Sequence, residues 1–544
     1  MKHVKVLDCT LRDGAYLVNK KFGDNVINGI IKGLVKSKVD CIEIGFFQDN
    51  DFGEGKTVYK NSADAKRFIP KNKNGIMFTV LADYSRFSIK NLDERDPESI
   101  DAVRECFFKN ERFNALEACK EIKEKGYKLF VQPVDVLGYS EQELIDFINK
   151  INLIKPYCFS IVDTFGSMYF EDLIRIFEIV DKNLNPSIKI GFHSHNNMQM
   201  SNALSQEFTR ISAGKRDVVI DGTVLGMGRG AGNTPTELIV QYLNTQWHYQ
   251  YDMDAILDVI DDYMDNLKTK CSWGYSTPYF IAGCYGAHVN NIAYLTQKNS
   301  IRSKSIRYIL DKIGAIPRKR YDYDLLEKTY LDYLCTNVSD DLGFNELYKK
   351  LYGKDILILA PGATISRESF KIKEYIKNFN PIIISIGFVP DNIKTHYIFI
   401  SNTRRYANLK DNKLFKNSNK IITSNIKKDK SDEKEKIISF TNLTVPGNEH
   451  IDNSTLLLLH LLDSLNVNSI GIAGLDGYSY MPNNYANSDL ELSNVLQNPD
   501  EINSQIMQML DDFMKNKNSN INVSFVTSSK FENSVLTISN KKGI

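Results

Sequence analysis

The stretch KIGFHSHNN at residues 189–197 shows the unit from which the fold is built: a short apolar run that ends in polar side chains. Seven further runs of this kind occur before about residue 245, and stretches long enough for a helix separate them. Eight strands alternating with helices predict an α/β fold, the (β/α)8 TIM barrel, whose active sites lie at the C-terminal ends of the strands. The predicted strands are Val4–Asp8, Cys41–Ile44, Met77–Leu81, Asp101–Arg104, Lys128–Gln132, Phe159–Asp163, Lys189–His193 and Val218–Asp221.

The rest of the chain divides into two further segments. After a predicted barrel domain over residues 1–248, long amphipathic stretches predict a helical extension over residues 249–345 that closes over the barrel mouth. From residue 353 to residue 544, strand-like runs alternate again with stretches of helix length. This pattern predicts a separate C-terminal Rossmann-like α/β domain.

Composition excludes several classes of protein. The chain has 544 residues with 42% hydrophobic and 25% charged residues, which is typical of a folded chain of two to four domains. The formal net charge of +1 gives no reason to expect a nucleic-acid partner. The eight cysteines are scattered, and no stretch reaches the length of a membrane span, so we expect a cytoplasmic protein.

Two histidines at the end of the seventh predicted strand indicate a metal site. His193 and His195 are two residues apart, and in an extended chain such residues point to the same side. The first strand is followed by Arg12 and Asp13, and Asp13 is the candidate carboxylate ligand. Arg12 keeps its charge and could stabilise an oxyanion. The alternative is a packed histidine beside an exposed one, with a surface Arg–Asp pair.

Three motifs lie at the ends of the first, seventh and eighth predicted strands: LDCTLRDG (7–14), GFHSHNN (191–197) and IDGTVLGMGRGAGNTPTE (220–237). Together they resemble one family, the DRE-TIM metallolyase superfamily, over about residues 1–340. The resemblance is closest to the 4-hydroxy-2-oxovalerate aldolase-like members. It implies Mn²⁺ or Mg²⁺ held at Asp13, His193 and His195, and an Arg at position 12 that steadies an enolate. It also implies substrate-binding positions at Asn233, Gly228 and Thr164, with Asn233 also a possible further or water-bridged ligand of the ion. The stretches IEIGF (42–46) and VDTFG (162–166) support the resemblance.

Departures from the family patterns favour one branch over the others. The synthases read LRDGEQ where this chain has Ala15 and Tyr16, and the glycine loop has no cysteine like that of the hydroxymethylglutaryl-CoA lyases. Pyruvate aldolases of the family have a His where Tyr16 stands, so Tyr16 is either the acid/base group or a packing aromatic. Tyr275 and His288, in the helical extension, are alternative proton carriers.

These features predict a metal-dependent aldolase that cleaves or forms the C3–C4 bond of a 4-hydroxy-2-oxoacid, with pyruvate and an aldehyde as its small-molecule partners. In the cleavage direction a base takes the proton of the 4-hydroxyl, and negative charge develops on the enolate oxygen near the metal and Arg12. Two alternatives stay open. One is a Claisen-type synthase that uses an acyl-CoA and a 2-oxoacid, and the other is a non-catalytic scaffold. A homo-oligomer also stays open.

The C-terminal domain carries a weaker signal. The stretch DILILAPGATISRESF at residues 355–370 predicts a strand, a tight turn and a helix, so a phosphate could bind at the Pro361–Ser366 turn. A late-strand loop with Asp476 would complete such a site. This pattern predicts a nucleotide or nucleotide-sugar partner, and the alternative is a domain that only packs or dimerises.

Overall fold

The computed structural model describes residues 3–298, 301–334, 339–426, 433–444, 453–487, 496, 498–518 and 520–532. The chain forms two compact units. The first unit comprises Met1–Ile292 with Ala315–Arg320, and the second comprises Ala293–Gly314 with Tyr321–Ile544.

The first unit contains the predicted barrel. Eight parallel strands close into a ring, because the first strand pairs with both the second and the last. All eight predicted strands are confirmed, and a ninth short strand, Val58–Tyr59, was not predicted. The strands are β1 (Val4–Asp8), β2 (Cys41–Phe47), β3 (Val58–Tyr59), β4 (Met77–Asp83), β5 (Ala102–Phe107), β6 (Lys128–Pro133), β7 (Cys158–Asp163), β8 (Lys189–Ser194) and β9 (Val218–Gly222).

Apart from the short first helix, which lies at the barrel mouth, helices cover the outside of the barrel, and the longer ones each bury one apolar face. In the second of them, Ile27, Ile30, Ile31 and Leu34 recur at helical spacing and are buried in the core. The helices are α1 (Thr10–Asp13), α2 (Asp24–Ser37), α3 (Ser62–Ala65), α4 (Ala115–Glu124), α5 (Glu141–Ile154), α6 (Phe170–Asn183), α7 (Ser201–Ser212) and α8 (Thr236–Trp247).

The region after the barrel is helical, as predicted, but the first two amphipathic stretches, predicted over Asp252–Thr269 and Tyr279–Gln297, are each divided into shorter helices. A π-helical turn at Ile260–Met264 interrupts the first amphipathic stretch, and the second stretch is broken after Tyr285. The helices are α9 (Met253–Val259), α10 (Asp265–Lys270), α11 (Thr277–Tyr285), α12 (Val289–Thr296), α13 (Ser303–Ile313), α14 (Tyr323–Leu334) and α15 (Asp341–Leu351).

The second unit contains a seven-stranded, fully parallel sheet, which confirms the predicted C-terminal α/β fold. Its strands are β10 (Asp355–Leu359), β11 (Ile382–Ile386), β12 (Tyr397–Ile400), β13 (Lys420–Thr423), β14 (Glu435–Ile438), β15 (Ser469–Ala473) and β16 (Asn522–Phe525). The spatial order is β14-β13-β12-β11-β10-β15-β16, so the strand order reverses between β10 and β15. In open α/β sheets, ligands bind outside the carboxyl ends of the strands at such a reversal.

The remaining helices of the second unit are α16 (Thr364–Arg367), α17 (Ser369–Phe379), α18 (Thr403–Leu409), α19 (Lys413–Asn417), α20 (Ser454–Ser464) and α21 (Pro499–Asn516). Across the part of the chain that the structure describes, we find no helix with the length and apolar character needed to cross a bilayer.

Candidate metal centre and active site

The turn after β1 brings Arg12 and Asp13 into the barrel mouth. The Asp8 carboxylate holds this turn, because its Oδ1 accepts the Thr10 N–H at 3.0 Å and its Oδ2 accepts the Thr236 hydroxyl at 2.6 Å. Burial raises the pKa of Asp8 to about 6, although these hydrogen bonds favour the carboxylate. Asp8 therefore positions the turn, and the side chains that follow it point to the site.

Arg12 and Arg104 share one buried carboxylate. Arg12 Nε donates to Glu43 Oε2 at 2.7 Å, and Arg104 Nη1 donates to the same oxygen at 3.0 Å. Arg12 Nη1 also lies 2.9 Å from Asp13 Oδ2. Burial opposes the charge on Arg12, yet Asp13 and Glu43 together raise its pKa. Arg12 therefore keeps a fixed positive charge next to Asp13.

His193 contacts both Asp221 and Asp13, so the charged side chains around it form a closed ring. Arg104 pairs with Asp221, whose Oδ2 lies 3.0 Å from His193 Nδ1. On the other side of the imidazole, Nε2 lies 3.1 Å from Asp13 Oδ2. The ring holds three carboxylates and two guanidinium groups around a histidine, so one negative charge is uncompensated when that histidine is neutral. This arrangement favours a bound cation. The ring consists of Asp13, Arg12, Glu43, Arg104, Asp221 and His193.

Three side chains fit a divalent ion at this point. Asp13 Oδ2 is buried, and its contacts with Arg12 and His193 lack hydrogen-bond geometry, so its lone pairs are not satisfied. His195 Nε2 lies 3.9 Å from the same oxygen. Burial opposes ionisation of Asp13, but the charge of Arg12, together with the neighbouring His193, keeps its pKa well below the ordinary value. A carboxylate with two imidazoles is a suitable donor set for Mn²⁺ or Mg²⁺.

Cys9 is the competitor of His195 for the third position. Its sulfur lies with Asp13 and His193 in a cluster of metal-ligand geometry. However, Cys9 Sγ donates a hydrogen bond to the Gly222 carbonyl at 3.3 Å, and burial raises the pKa of the thiol well above its ordinary value. A protonated thiol is a poor ligand for a hard cation. Burial lowers the pKa of His195 to about 3, so its imidazole is neutral and can coordinate.

The glycine loop after β9 carries two of the three predicted substrate-binding residues, Gly228 and Asn233, and it brings Asn233 next to His195. Residues His195 and Asn233 form an isolated antiparallel bridge, and Asn233 Oδ1 is buried without a hydrogen-bond partner. A Cβ at Gly228 would overlap the amide nitrogen of Asn233, so only glycine permits this close packing. Thr164 lies at the end of β7, where its hydroxyl oxygen accepts the Asp135 N–H at 2.8 Å. Asn233 thus places an oxygen atom without a hydrogen-bond partner beside His195, whereas the hydroxyl group of Thr164 fixes the loop at Asp135.

The three candidate proton carriers are not equivalent. Tyr16 lies under the guanidinium group of Arg229, and burial raises the pKa of its phenol despite that nearby charge. His288 is half-buried, its Nδ1 accepts the Asn290 N–H at 3.1 Å, and burial lowers its pKa to about 3. Tyr275, in contrast, is 62% exposed. At Tyr16 desolvation outweighs the nearby charge of Arg229, so whether Tyr16 is the acid/base group or a packing aromatic stays open.

Sequence reasoning did not identify Arg104, Cys9 or Arg229 as part of the site. For Arg104 a signal existed, since a charged residue in a predicted apolar strand needs a buried partner. Among the polar residues at strand ends, Glu43 pairs with two arginines, and Asp163 accepts the Ser167 N–H at 2.9 Å.

In the second unit, the Pro361–Ser366 turn is already filled by a carboxylate. Asp476 Oδ2 accepts the Thr364 N–H at 2.8 Å, and its Oδ1 accepts the Thr364 hydroxyl. The prediction that a phosphate binds at this turn stays a prediction, and a phosphate there would have to lie beside the Asp476 carboxylate. A cavity nevertheless lies at the carboxyl ends of β10 and β15, lined by Gly362, Gly387, Arg405, Ser454, Asp476 and Tyr485, among others.

Several known proteins are similar to this chain. The HMGL-like family matches residues 3–262. The 4-hydroxy-2-oxovalerate aldolase of Pseudoalteromonas translucida is 32% identical over 272 residues, which are 48% of this chain and 76% of that protein. The oxaloacetate decarboxylase of Mycobacterium tuberculosis is 25% identical over 269 residues, 46% of this chain and 74% of that protein. Among solved structures, the HMG-CoA lyase of Bacillus subtilis has 17% identity and a TM-score of 0.40, covering 48% of this chain and 93% of the lyase. The chain belongs to the HMGL-like family of metal-dependent lyases.

Proposed function

We propose that this chain is a Mn²⁺- or Mg²⁺-dependent aldolase that cleaves or forms the C3–C4 bond of a 4-hydroxy-2-oxoacid, with pyruvate and an aldehyde as the other reactants. The observation that carries the proposal is the unsatisfied Asp13 oxygen, which lies between two imidazoles and beside the fixed charge of Arg12. Relatives named 4-hydroxy-2-oxovalerate aldolase support this substrate class.

The metal ligands in this proposal are Asp13, His193 and His195, with Asn233 Oδ1 as a further or water-bridged donor. A divalent ion held there would act as a Lewis acid towards the 2-keto oxygen of the substrate. Arg12 stands beside Asp13 and would stabilise the negative charge that develops on that oxygen as the bond breaks. The electron pair of the C3–C4 bond then becomes the enolate, and a proton at C3 completes pyruvate.

In this proposal the acid/base work falls to His288 and Tyr16. His288 is uncharged at neutral pH, because burial lowers its pKa. To accept the 4-hydroxyl proton, its Nδ1 would have to give up the hydrogen bond from the Asn290 N–H. Tyr16 keeps its proton and could act as a hydrogen-bond donor to the same oxygen. If Tyr16→Phe leaves the retro-aldol rate and its pH profile unchanged, Tyr16 serves only to pack.

The test uses the full-length protein with Mn²⁺ and two readouts. Exchange of the pyruvate methyl protons with D₂O reports enolate formation without any aldehyde, and pyruvate release from 4-hydroxy-2-oxoacids reports bond cleavage. CoA release with an acyl-CoA and a 2-oxoacid would instead identify a Claisen-type synthase. Absence of all metal-dependent turnover would favour the scaffold alternative.

For the second unit we propose an independently folding domain that binds a nucleotide or nucleotide sugar. The support is the position of its cavity, which Pro361 and Gly362 help to line, at the reversal of strand order. A cytoplasmic location is part of the same proposal. Its support is the cysteines, since seven of them are free among the described residues and four of those are buried.

A further inference from the structure

Arg229 is a cation in the barrel mouth that the chain does not neutralise. Its Nε is buried and has no hydrogen-bond partner. The guanidinium carbon lies 3.8 Å from the centre of the Tyr16 ring, so the group stacks on an aromatic face. Within the described ranges, no carboxylate of the chain comes within ion-pair distance of Arg229.

The other buried arginines of the barrel behave differently. Arg12 pairs with Asp13 and Glu43, and Arg104 pairs with Glu43 and Asp221. Arg216 likewise pairs with a carboxylate, Asp181, at 2.6 Å. A half-buried guanidinium without a counter-ion is costly, and its planar fork suits a carboxylate or phosphate.

The backbone holds Arg229 in place before any ligand arrives. Asn197 Oδ1 accepts the Ala231 N–H at 3.0 Å, and the Gly232 N–H donates to the Arg229 carbonyl at 3.1 Å. Gly230, the next residue, has a left-handed φ of 69°, and a Cβ there would lie 2.7 Å from Asn197 Oδ1. The tight loop therefore presents the arginine in a fixed position, which lowers the entropic cost of binding.

The position of Arg229 indicates which half of a substrate it would meet. The metal ligands and Arg12 are assigned to the pyruvate half. The charge of Arg229 lowers the pKa of His195 and also that of His288. Its guanidinium group stacks on the ring of Tyr16, so Arg229 lies beside Tyr16 and His288. These are the groups assigned to the 4-hydroxyl, which becomes the aldehyde oxygen.

Resting on the proposed function, we infer that Arg229 binds an anionic group on the aldehyde half of the substrate. The physiological substrate is then a 4-hydroxy-2-oxoacid with a carboxylate or phosphate beyond C4, and the aldehyde released is itself an anion. A guanidinium group binds a carboxylate and a phosphate through the same kind of charged hydrogen bonds. Aldehydes that carry one or the other group show which of the two anions Arg229 prefers.

The experiment measures aldol addition of pyruvate to two matched pairs of aldehydes, using the full-length protein with Mn²⁺. Succinic semialdehyde is compared with butanal, and glycolaldehyde phosphate with glycolaldehyde. We expect kcat/KM to favour one charged aldehyde over its neutral partner by about 10²-fold, the size of a lost charge-assisted hydrogen bond pair. The favoured pair identifies the anion as carboxylate or phosphate.

Three variants separate binding from packing. Arg229→Gln should remove most of the preference, and Arg229→Lys should keep part of it because the charge remains. Arg210→Gln, on an exposed side chain of α7 that pairs with Glu207, is the matched control and should keep the full preference.

Two results overturn the inference. One is a wild-type enzyme with no preference for either charged aldehyde, and the other is an Arg229→Gln variant that slows charged and neutral aldehydes equally, which would assign Arg229 only to the packing of Tyr16. Pyruvate proton exchange distinguishes these outcomes from failure of the proposed function. Exchange without a charge preference overturns this inference alone, whereas no exchange overturns both.

Discussion

Replacing Asp221 by Asn tests whether the ring of charges supports the metal centre. Asp221 Oδ2 lies 3.0 Å from His193 Nδ1 and also pairs with Arg104. The carboxylate fixes the tautomer of His193, so that Nδ1 carries the proton and Nε2 faces Asp13. Asparagine keeps the size of the side chain but removes the negative charge that orients this imidazole.

The size of the effect follows from the contacts that are lost. Removing the carboxylate partner of a metal-ligating histidine typically lowers metal affinity about 10- to 100-fold, or about 1.4–2.8 kcal/mol. Two changes act in the same direction here. His193 becomes a weaker and less ordered ligand, and the ring loses its one uncompensated negative charge. Arg104 keeps its bond to Glu43 at 3.0 Å, so the variant should still fold.

The assay is competition with a fluorescent Mn²⁺ indicator at neutral pH, with thermal unfolding of the metal-free protein as a second readout. Asp217→Asn is the matched control, because Asp217 pairs with Lys189 and its side chain is 60% exposed. We expect weaker Mn²⁺ binding for Asp221→Asn alone. Equal affinity in both variants would refute the ring as a support of the metal site.

The remaining predictions address other residues. His195→Ala should abolish metal binding whereas Cys9→Ser should retain it, because the Cys9 thiol is protonated; isothermal titration with Mn²⁺ decides, and the reverse result would make Cys9 the third ligand. Arg12→Lys should lower kcat by about 10²-fold with metal binding intact, since lysine cannot copy the guanidinium fork, and a change confined to KM would contradict this role. Glu105 is buried, and burial raises the pKa of its carboxyl group above the ordinary 4.5. The protonated carboxyl group therefore adds its full contribution to the free energy of unfolding below pH 4.5, and that contribution is lost as pH rises. The melting temperature of Glu105→Gln minus that of wild type should therefore increase as pH rises from about 4.5 to 8. The exposed Glu117→Gln is the control. A difference between Glu105→Gln and wild type that does not change with pH would disprove the assignment.

The barrel could be predicted from sequence because its strands are fully buried apolar runs. β1 begins and ends where predicted, and all seven residues of β2 are buried, so such strands stand out in the sequence as continuous apolar runs. Val58–Tyr59 was missed because two residues show no period. Ends of helices such as Tyr285 depend on local turns, which explains why the long helix predicted there is broken.

The site could be predicted in part. The carboxyl ends of the barrel strands meet at one end of the barrel, and this brings Arg12 and Asp13, after β1, next to His193, near the end of β8. The sequence motifs show that these residues stand at strand ends. The partners of Arg104 are set by three-dimensional packing across the barrel, which a sequence pattern does not contain. The same limit applies to Asp476, whose carboxylate fills a turn more than one hundred residues earlier in the chain.

The central claim is that Asp13, His193 and His195 hold a divalent ion that, with Arg12, generates the enolate of pyruvate. The most direct measurement is proton NMR of the pyruvate methyl signal in D₂O with the full-length protein. We expect this signal to disappear with Mn²⁺ or Mg²⁺, because deuterons replace the methyl protons. We expect it to persist after chelation of the metal and with His195→Ala. A methyl signal that persists with metal-loaded wild-type protein, or exchange that His195→Ala retains, would contradict the account.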